Sequence, residues 1–376
     1  MKKYFWKISL IIFIFTGLFS GFIANDIPVL CKDASGYRIP VLEKNKNFVH
    51  KKNCKTLINP LIKYSYKSID VKNAGFVSPF DKQNLSLGQQ KHFFGTDQIG
   101  RDVLAGMIYG TSIALKIGFL SMALSLIIAL IMSVYPSYYG DTLLRKTRVD
   151  IIIYFLIITT ITYFVLNYEL LKALSTIQII YVIAIGIFLL IIIYYILGLL
   201  PALKKTISIP LDSIISWITK IFQSIPGILL VLILISLFSK PSIYNIIIVI
   251  GILKWPLIAR YIRAEILKIK EERFIESSKT LGLKDSLIIW RHILPHIMTP
   301  VFIALSFGFA STILIESTLS FLGIGIPADH VSWGSILSQA RQNYSAWWLA
   351  IFPGLAIFWI IFVFNEIGNY LESQNN

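Results

Sequence analysis

Long apolar runs separated by short basic or polar clusters dominate this chain. Eight of them approach the ~20 residues that a membrane-spanning helix needs. They are Ile8–Ala24, Ser112–Tyr135, Ile151–Tyr168, Ile177–Leu200, Ile221–Phe238, Ile243–Ile258, Val301–Leu322 and Trp348–Phe364. The short alternating segments of a membrane barrel are missing from these runs. In lipid each run must satisfy its own backbone, so the pattern predicts helices. The expected fold class is all-α: a polytopic membrane protein of about eight transmembrane helices.

Composition agrees with the pattern. Hydrophobic residues make up 56% of the chain and charged residues 15%, well below the quarter typical of soluble domains. The net charge of +15 raises nucleic acid as a partner, but the basic residues flank apolar runs, so topology explains them and no nucleic-acid partner is expected. Lys2, Lys3 and Lys7 precede the first run and put the amino terminus inside. Alternation then puts Arg145, Lys146 and Arg148 inside, followed by Lys204 and Lys205 and the whole Arg260–Arg291 loop. Both termini are expected in the cytoplasm of a bacterial cell, with the protein in the inner membrane. The lysine-rich segment after the first run falls outside, which the positive-inside rule permits for a loop longer than ~60 residues. Small residues ending at Ala24 also fit a signal peptide, but the apolar core exceeds the roughly 7–15 residues of an h-region, which favours an uncleaved anchor.

The chain therefore reads as an anchor helix (1–24), an extracytoplasmic segment (25–94) and a membrane core (95–376) interrupted by two extra apolar runs at about 143–205. Two added helices preserve the in/out parity of everything downstream. Both cysteines, Cys31 and Cys54, fall in the outer segment. They pair in an oxidising compartment, or stay as two thiols in a cell that makes few disulfides.

Three ordered motifs carry chemistry. Glu276-Ser-Ser-Lys-Thr-Leu-Gly282 is followed, after nine residues, by His292-Ile-Leu-Pro295. Gly282 breaks a helical pattern between Leu281 and Leu283, as at a helix end. Upstream, His92-Phe-Phe-Gly-Thr-Asp-Gln-Ile-Gly-Arg-Asp-Val-Leu104 leads into Tyr109-Gly-Thr-Ser-Ile-Ala114. Gly95 and Gly100 permit turns there, and Asp97 or Asp102 caps the helix that follows. Downstream come Glu316–Gly325, Ser332-Trp-Gly334 and Trp347–Gly354.

In order and spacing these motifs resemble the permeases of dipeptide and oligopeptide ABC importers, of the second-permease type, over roughly two-thirds of the chain. Ser277 and Ser278 stand where the family has two alanines. The outer stretches Phe22–Leu30 and Tyr37–Leu42 resemble the long-loop branch of microcin C-type peptide permeases. The resemblance implies a type I importer permease fold with a two-helix insertion, and an ATPase-coupling loop comprising Arg263, Glu276, Ser277, Ser278, Gly282, His292, Leu294 and Pro295. It also implies a core-opening motif of Gly95, Thr96, Asp97, Gly100, Arg101 and Asp102. The implied partners are a homologous permease subunit, two cytoplasmic ATPase subunits, an extracytoplasmic solute-binding protein and membrane lipid. Nickel and oligosaccharides are alternative solutes within the same architecture, and a secondary transporter is the competing class.

The chain itself is expected to be non-catalytic. Leu85–Gln90 looks like an ATPase signature, but no phosphate-binding loop accompanies it in the sequence, so no cofactor is expected on this chain and ATP-Mg belongs to partner subunits. His292 and His296 stand four apart, yet Pro295 disrupts the helix between them and no further ligand joins, so no metal is expected. Glu316 is the acidic residue deepest in an apolar run; it either lines the pathway near the outer gate or fixes a helix pair. Lys116, Lys220 and Lys254 are expected near span ends, where lysine snorkels.

Overall fold

The computed structural model describes residues 2–375 apart from 34–35, 42–54, 87–88, 143, 167–185, 187, 189–191, 198, 201–202, 204–205, 239 and 328. The chain divides into two compact units, Met1–Ile131 with Thr219–Asn376, and Met132–Ile218. Among the described residues four helices are long and apolar enough to cross a membrane: Val103–Tyr139, Ile243–Ile269, Asp285–Phe321 and Trp348–Gln374. A bent pair, Leu211–Ser224 with Gly227–Ser236, supplies a fifth span if counted as one. Most of the expected run 177–200 lies outside the described residues.

In the first unit, helix α1 (Lys2–Leu18) is followed by a short α2 (Ser20–Ile23) and a three-stranded sheet in the order β2-β1-β3. Its strands are β1 (Leu30–Asp33), β2 (Gly36–Arg38) and β3 (Lys55–Ile58), paired antiparallel. Cys31 is buried in β1 and disulfide-bonded, whereas Cys54, its expected partner, lies outside the described residues.

The membrane core is built around α3 (Val103–Tyr139). It packs on α7 (Ile243–Ile269), where Ser121 Oγ donates to the Ile247 carbonyl at 3.2 Å and Ser125 Oγ to that of Gly251 at 2.7 Å. A Cβ on Gly251 would stand 2.6 Å from Leu124. Close approach through small residues, with hydroxyls bridging to backbone carbonyls, is how helices associate where lipid removes the hydrophobic drive.

Helix α1 runs along α12 (Trp348–Asn375): Trp6 lies against Tyr370 at 5.3 Å, and Phe13 against Phe364 at 6.4 Å. Helix α10 (Leu294–Phe321) joins them through Phe309, stacked on Phe364 at 4.0 Å, and through Phe307 beside Gly368. The start of α10, the start of α1 and the end of α12 therefore lie at one end of the unit. At the opposite end Trp348 Nε1 donates to the Thr96 carbonyl at 3.1 Å.

Several span expectations change, α3 beginning nine residues before the expected Ser112 and α10 seven before the expected Val301. The run Ile221–Phe238 is not one helix: α5 (Leu211–Ser224) and α6 (Gly227–Ser236) meet at 92°. Pro226 lacks a backbone donor and disfavours helical geometry at Ile225, so the chain turns there. Helix α7 continues eleven residues past the expected end at Ile258, reaching Ile269. Lys254 is consequently a mid-helix residue.

In the second unit, strands β4 (Leu144–Thr147) and β5 (Thr206–Ile209) pair antiparallel, with Leu144 opposite Ile209 and Thr147 opposite Thr206. Helix α4 (Arg148–Leu166) begins directly after β4, and Asp150 Oδ2 caps it by accepting from the Thr147 amide at 3.0 Å. Ser213 donates its amide and hydroxyl to Asp141 at 3.1 and 2.7 Å. The two strands thus clamp the ends of the stretch that the sequence marks as an insertion.

Candidate functional site: a two-helix turn and an outer gateway

Between α7 and α10 the chain forms two short helices, α8 (Arg273–Thr280) and α9 (Asp285–Ile288), then a π turn over Ile289–Ile293. Helix α8 ends in a Schellman motif: the Gly282 amide donates to the Lys279 carbonyl at 2.9 Å and the Leu283 amide to that of Ser278 at 3.2 Å. Gly282 sits at φ +77°, a left-handed conformation that costs a side-chain-bearing residue ~1–2 kcal/mol. An added Cβ there meets nothing within 4 Å in this chain, so the need for glycine here is conformational, not steric.

The inner face of this turn is isoleucine. Ile269, Ile275, Ile288, Ile289, Ile293 and Ile297 are all buried. The outer face carries Leu281 (81% exposed), Leu283, Leu287 and Trp290 (63% exposed) among Lys279, Lys284 and Arg291. An exposed apolar patch rimmed by charge marks an interaction site. Leu287 and Trp290 fall outside the sequence motif, yet Leu283, Leu287 and Trp290 are spaced by four and three, the helical phase that exposes one face.

The structure brings most of the expected loop residues together here. Glu276 is exposed on α8. Ser277 and Ser278 return their hydroxyls to the Arg273 and Phe274 carbonyls at 2.9 and 2.7 Å. Leu294 and Pro295 open α10, where a proline near the amino end is tolerated. The chain therefore continues helically through Pro295, contrary to expectation, with the π turn absorbing the missing hydrogen bond. His296 Nδ1 lies 2.6 Å from the His292 carbonyl, and Phe274 packs on both imidazoles, stacked on His296 at 5.5 Å and tilted to His292 at 6.2 Å. Arg263 stands apart on α7, ten residues before α8 begins.

The core-opening motif lies at the other end of the unit. Asp97 accepts from the Ile99 and Arg101 amides at 3.0 and 2.8 Å and from Arg101 Nε at 2.7 Å, closing a turn. Asp102 is the cap of α3: its Oδ1 accepts from the Ala105 amide at 2.6 Å. Thr96 donates to the Asn73 carbonyl at 2.7 Å and accepts from the Val77 amide at 3.0 Å. Gly95 (φ +73°) and Gly100 (φ +87°) have no room for a side chain; a Cβ on Gly100 would strike the Asp70 carbonyl.

Sequence reasoning missed the centre of this network. His92 is fully buried, with Nδ1 2.8 Å from Asp102 Oδ2 and Nε2 3.4 Å from Asp70 Oδ2, and it stacks on Tyr64 at 4.3 Å. Burial opposes a charge on His92, but Asp102 and then Asp70 outweigh it and raise its pKa. Burial likewise opposes ionisation of Asp70, while hydrogen bonds from Asn73, His92 and the Lys72 amide overcome that and lower it. Tyr64 is pushed up to about 12, chiefly by burial and then by the two carboxylates, so it stays neutral.

Glu316 is 1% exposed in α10. Its carboxyl group accepts from Ser320 Oγ at 2.7 Å and Ser317 Oγ at 3.4 Å. Ser332 is the N-cap of α11 (Trp333–Gln339). Glu316 thus faces hydroxyls of its own helix at the place where α11 packs on α10 through Gly334 and Ser317.

The profile of the family described as binding-protein-dependent transport system inner membrane component matches residues 195–374. A putative peptide transport system permease protein of Brucella suis is 30% identical over 285 residues, covering 75% of this chain and 72% of that protein. The dipeptide transport system permease protein DppC of Alkalihalophilus pseudofirmus is 28% identical over 283 residues, 75% of this chain and 70% of the relative. The glutathione transport system permease protein GsiD of Shigella flexneri is 34% identical over 162 residues, 43% of this chain and 53% of its own. With the ordered motifs and the helical core, these similarities show that the chain belongs to the permease subunits of binding-protein-dependent ABC importers, in the branch that includes dipeptide and peptide transport permeases.

Proposed function

We propose that this permease subunit imports peptides, forming half of a translocation pathway whose other half is a homologous permease. Two cytoplasmic ATPase subunits bind and hydrolyse ATP-Mg, and an extracytoplasmic solute-binding protein delivers the solute; this chain is not catalytic. The α8–α9 turn is the coupling element. Its exposed Leu281, Leu283, Leu287 and Trp290 seat in an ATPase groove, and Glu276 and the flanking lysines and arginines orient it. When the ATPases close, the turn moves as one body with its buried isoleucines and tilts α7 and α10.

The observation carrying this reading is the two-sided turn, packed within and apolar without, continuous with α10 and joined to α7 through three residues. The shared end of Trp6, Tyr370 and the turn supports a cytoplasmic location for both termini. Peptides are favoured over nickel or oligosaccharides because the relatives are named for dipeptide, peptide and glutathione transport. Vesicles holding the complete assembly test it: labelled peptide should accumulate only with ATP and binding protein both present. Peptide accumulation without either component points instead to secondary transport.

A further inference from the structure

We propose that Lys254 and Ser311 form a mid-depth subsite that takes a carboxylate of the transported solute. The inference rests on the peptide-importer reading above.

Lys254 Nζ donates to Ser311 Oγ at 2.9 Å, linking α7 to α10. Both residues lie deep between the helix ends. Lys254 is eleven residues from the start of α7 and Ser311 ten from the end of α10, which is ~15 Å in each case at 1.5 Å per residue. The coupling end of α7 is farther still, ~22 Å away. A lysine side chain reaches neither end of its helix from there.

An ammonium at that depth must face a partner or a watery cavity. Within this subunit it has a neutral hydroxyl and, among the described residues, no carboxylate within ion-pair distance. Ser311 donates its own proton to the Gly308 carbonyl at 2.9 Å, so its oxygen is fixed as an acceptor. Of the three ammonium donors one is thereby used, which positions the amine and leaves the others for an anion. The site is not sealed: Lys254 and Ser311 are each partly exposed, and Leu314, one turn along α10, is 51% exposed. On this proposal the face is turned toward the pathway that a second permease would close. A free peptide carries an anionic group at its carboxyl end, and a positioned ammonium recognises it by a charge-assisted hydrogen bond.

The test uses the complete transporter in vesicles, with binding protein saturated in turn by a neutral tripeptide and by its carboxyl-terminal amide. Wild type should import the free acid at least about tenfold faster than the amide. Lys254→Gln should slow the acid about tenfold and leave the amide unchanged, erasing the preference, while Lys254→Arg should retain it. Equal loss of both peptides in Lys254→Gln, with assembly intact by gel filtration, would assign Lys254 to helix packing or to a partner's carboxylate and overturn the proposal. Undiminished import of the acid would overturn it as well. Wild-type vesicles that import neither peptide reject the peptide reading itself, and this inference with it.

Discussion

His92 and Asp102 share a buried contact of 2.8 Å between Nδ1 and Oδ2, while the other oxygen of Asp102 caps α3 through the Ala105 amide. One carboxylate thus ties the segment preceding the core to the first helix of the core. Asp70, reached by the other imidazole nitrogen, extends the tie into the outer segment.

This network gives the outer segment a pH dependence with a definite sign. The pKa of His92 is raised on folding, so its contribution is full below the ordinary value of 6.5 and is lost as pH rises through the folded value. Asp70 is lowered, so its contribution is full above its ordinary value of 3.8 and is lost only as pH falls through a still lower one. Amide protection over residues 63–86 and 89–101, taken relative to the intrinsic exchange rate at each pH, should therefore fall from pH 6.5 upward. In His92→Gln that alkaline dependence should disappear. Protection that stays constant with pH in the unmutated protein would refute the assignment.

Two glycines with similar φ should behave differently. Gly100→Ala forces a Cβ onto the Asp70 carbonyl as well as straining the backbone, and should destabilise the protein by about 3 kcal/mol or more. Gly282→Ala meets open space and should cost only ~1–2 kcal/mol, confined to the turn. Thermal unfolding of the purified subunit in detergent compares them; equal shifts would contradict the packing described.

Glu316→Ala leaves the hydroxyls of Ser317 and Ser320 without their shared acceptor in a buried site. It should destabilise by about 2–4 kcal/mol, whereas Glu316→Gln, which keeps one carbonyl oxygen, should cost less. Folded yield and uptake per folded molecule separate the roles. Normal uptake per molecule supports the helix joint, and a collapse of uptake at normal yield supports pathway lining.

Much of this architecture was legible in the sequence, for identifiable reasons. Gly282 between two leucines announced a helix end because only glycine takes the Schellman position without strain, and the turn motifs around Gly95 and Gly100 are local in the same way. The His92 network was not legible: Asp70 is twenty-two residues away and joined by no periodic pattern. Lys254 was misjudged because Arg260 and Arg263 look like the start of a loop, whereas α7 continues to Ile269 and carries them on an extension of the helix. The bend at Pro226 was hidden by the apolar runs on either side of it, which hydropathy merges into one.

The central claim is that the α8–α9 turn grips the ATPases, and co-purification of the ATPases with the permease, read beside peptide uptake, tests it most directly. Gly282→Asp adds strain and a charge to the exposed apolar face. Glu276→Lys reverses a charge there, with a smaller expected effect because the residue is solvent-screened. The account predicts that Gly282→Asp loses the ATPases and uptake together while the subunit remains inserted in the membrane, with Glu276→Lys intermediate. Retention of the ATPases and normal uptake in both variants would contradict it and reduce the turn to a solvated connection between two helices.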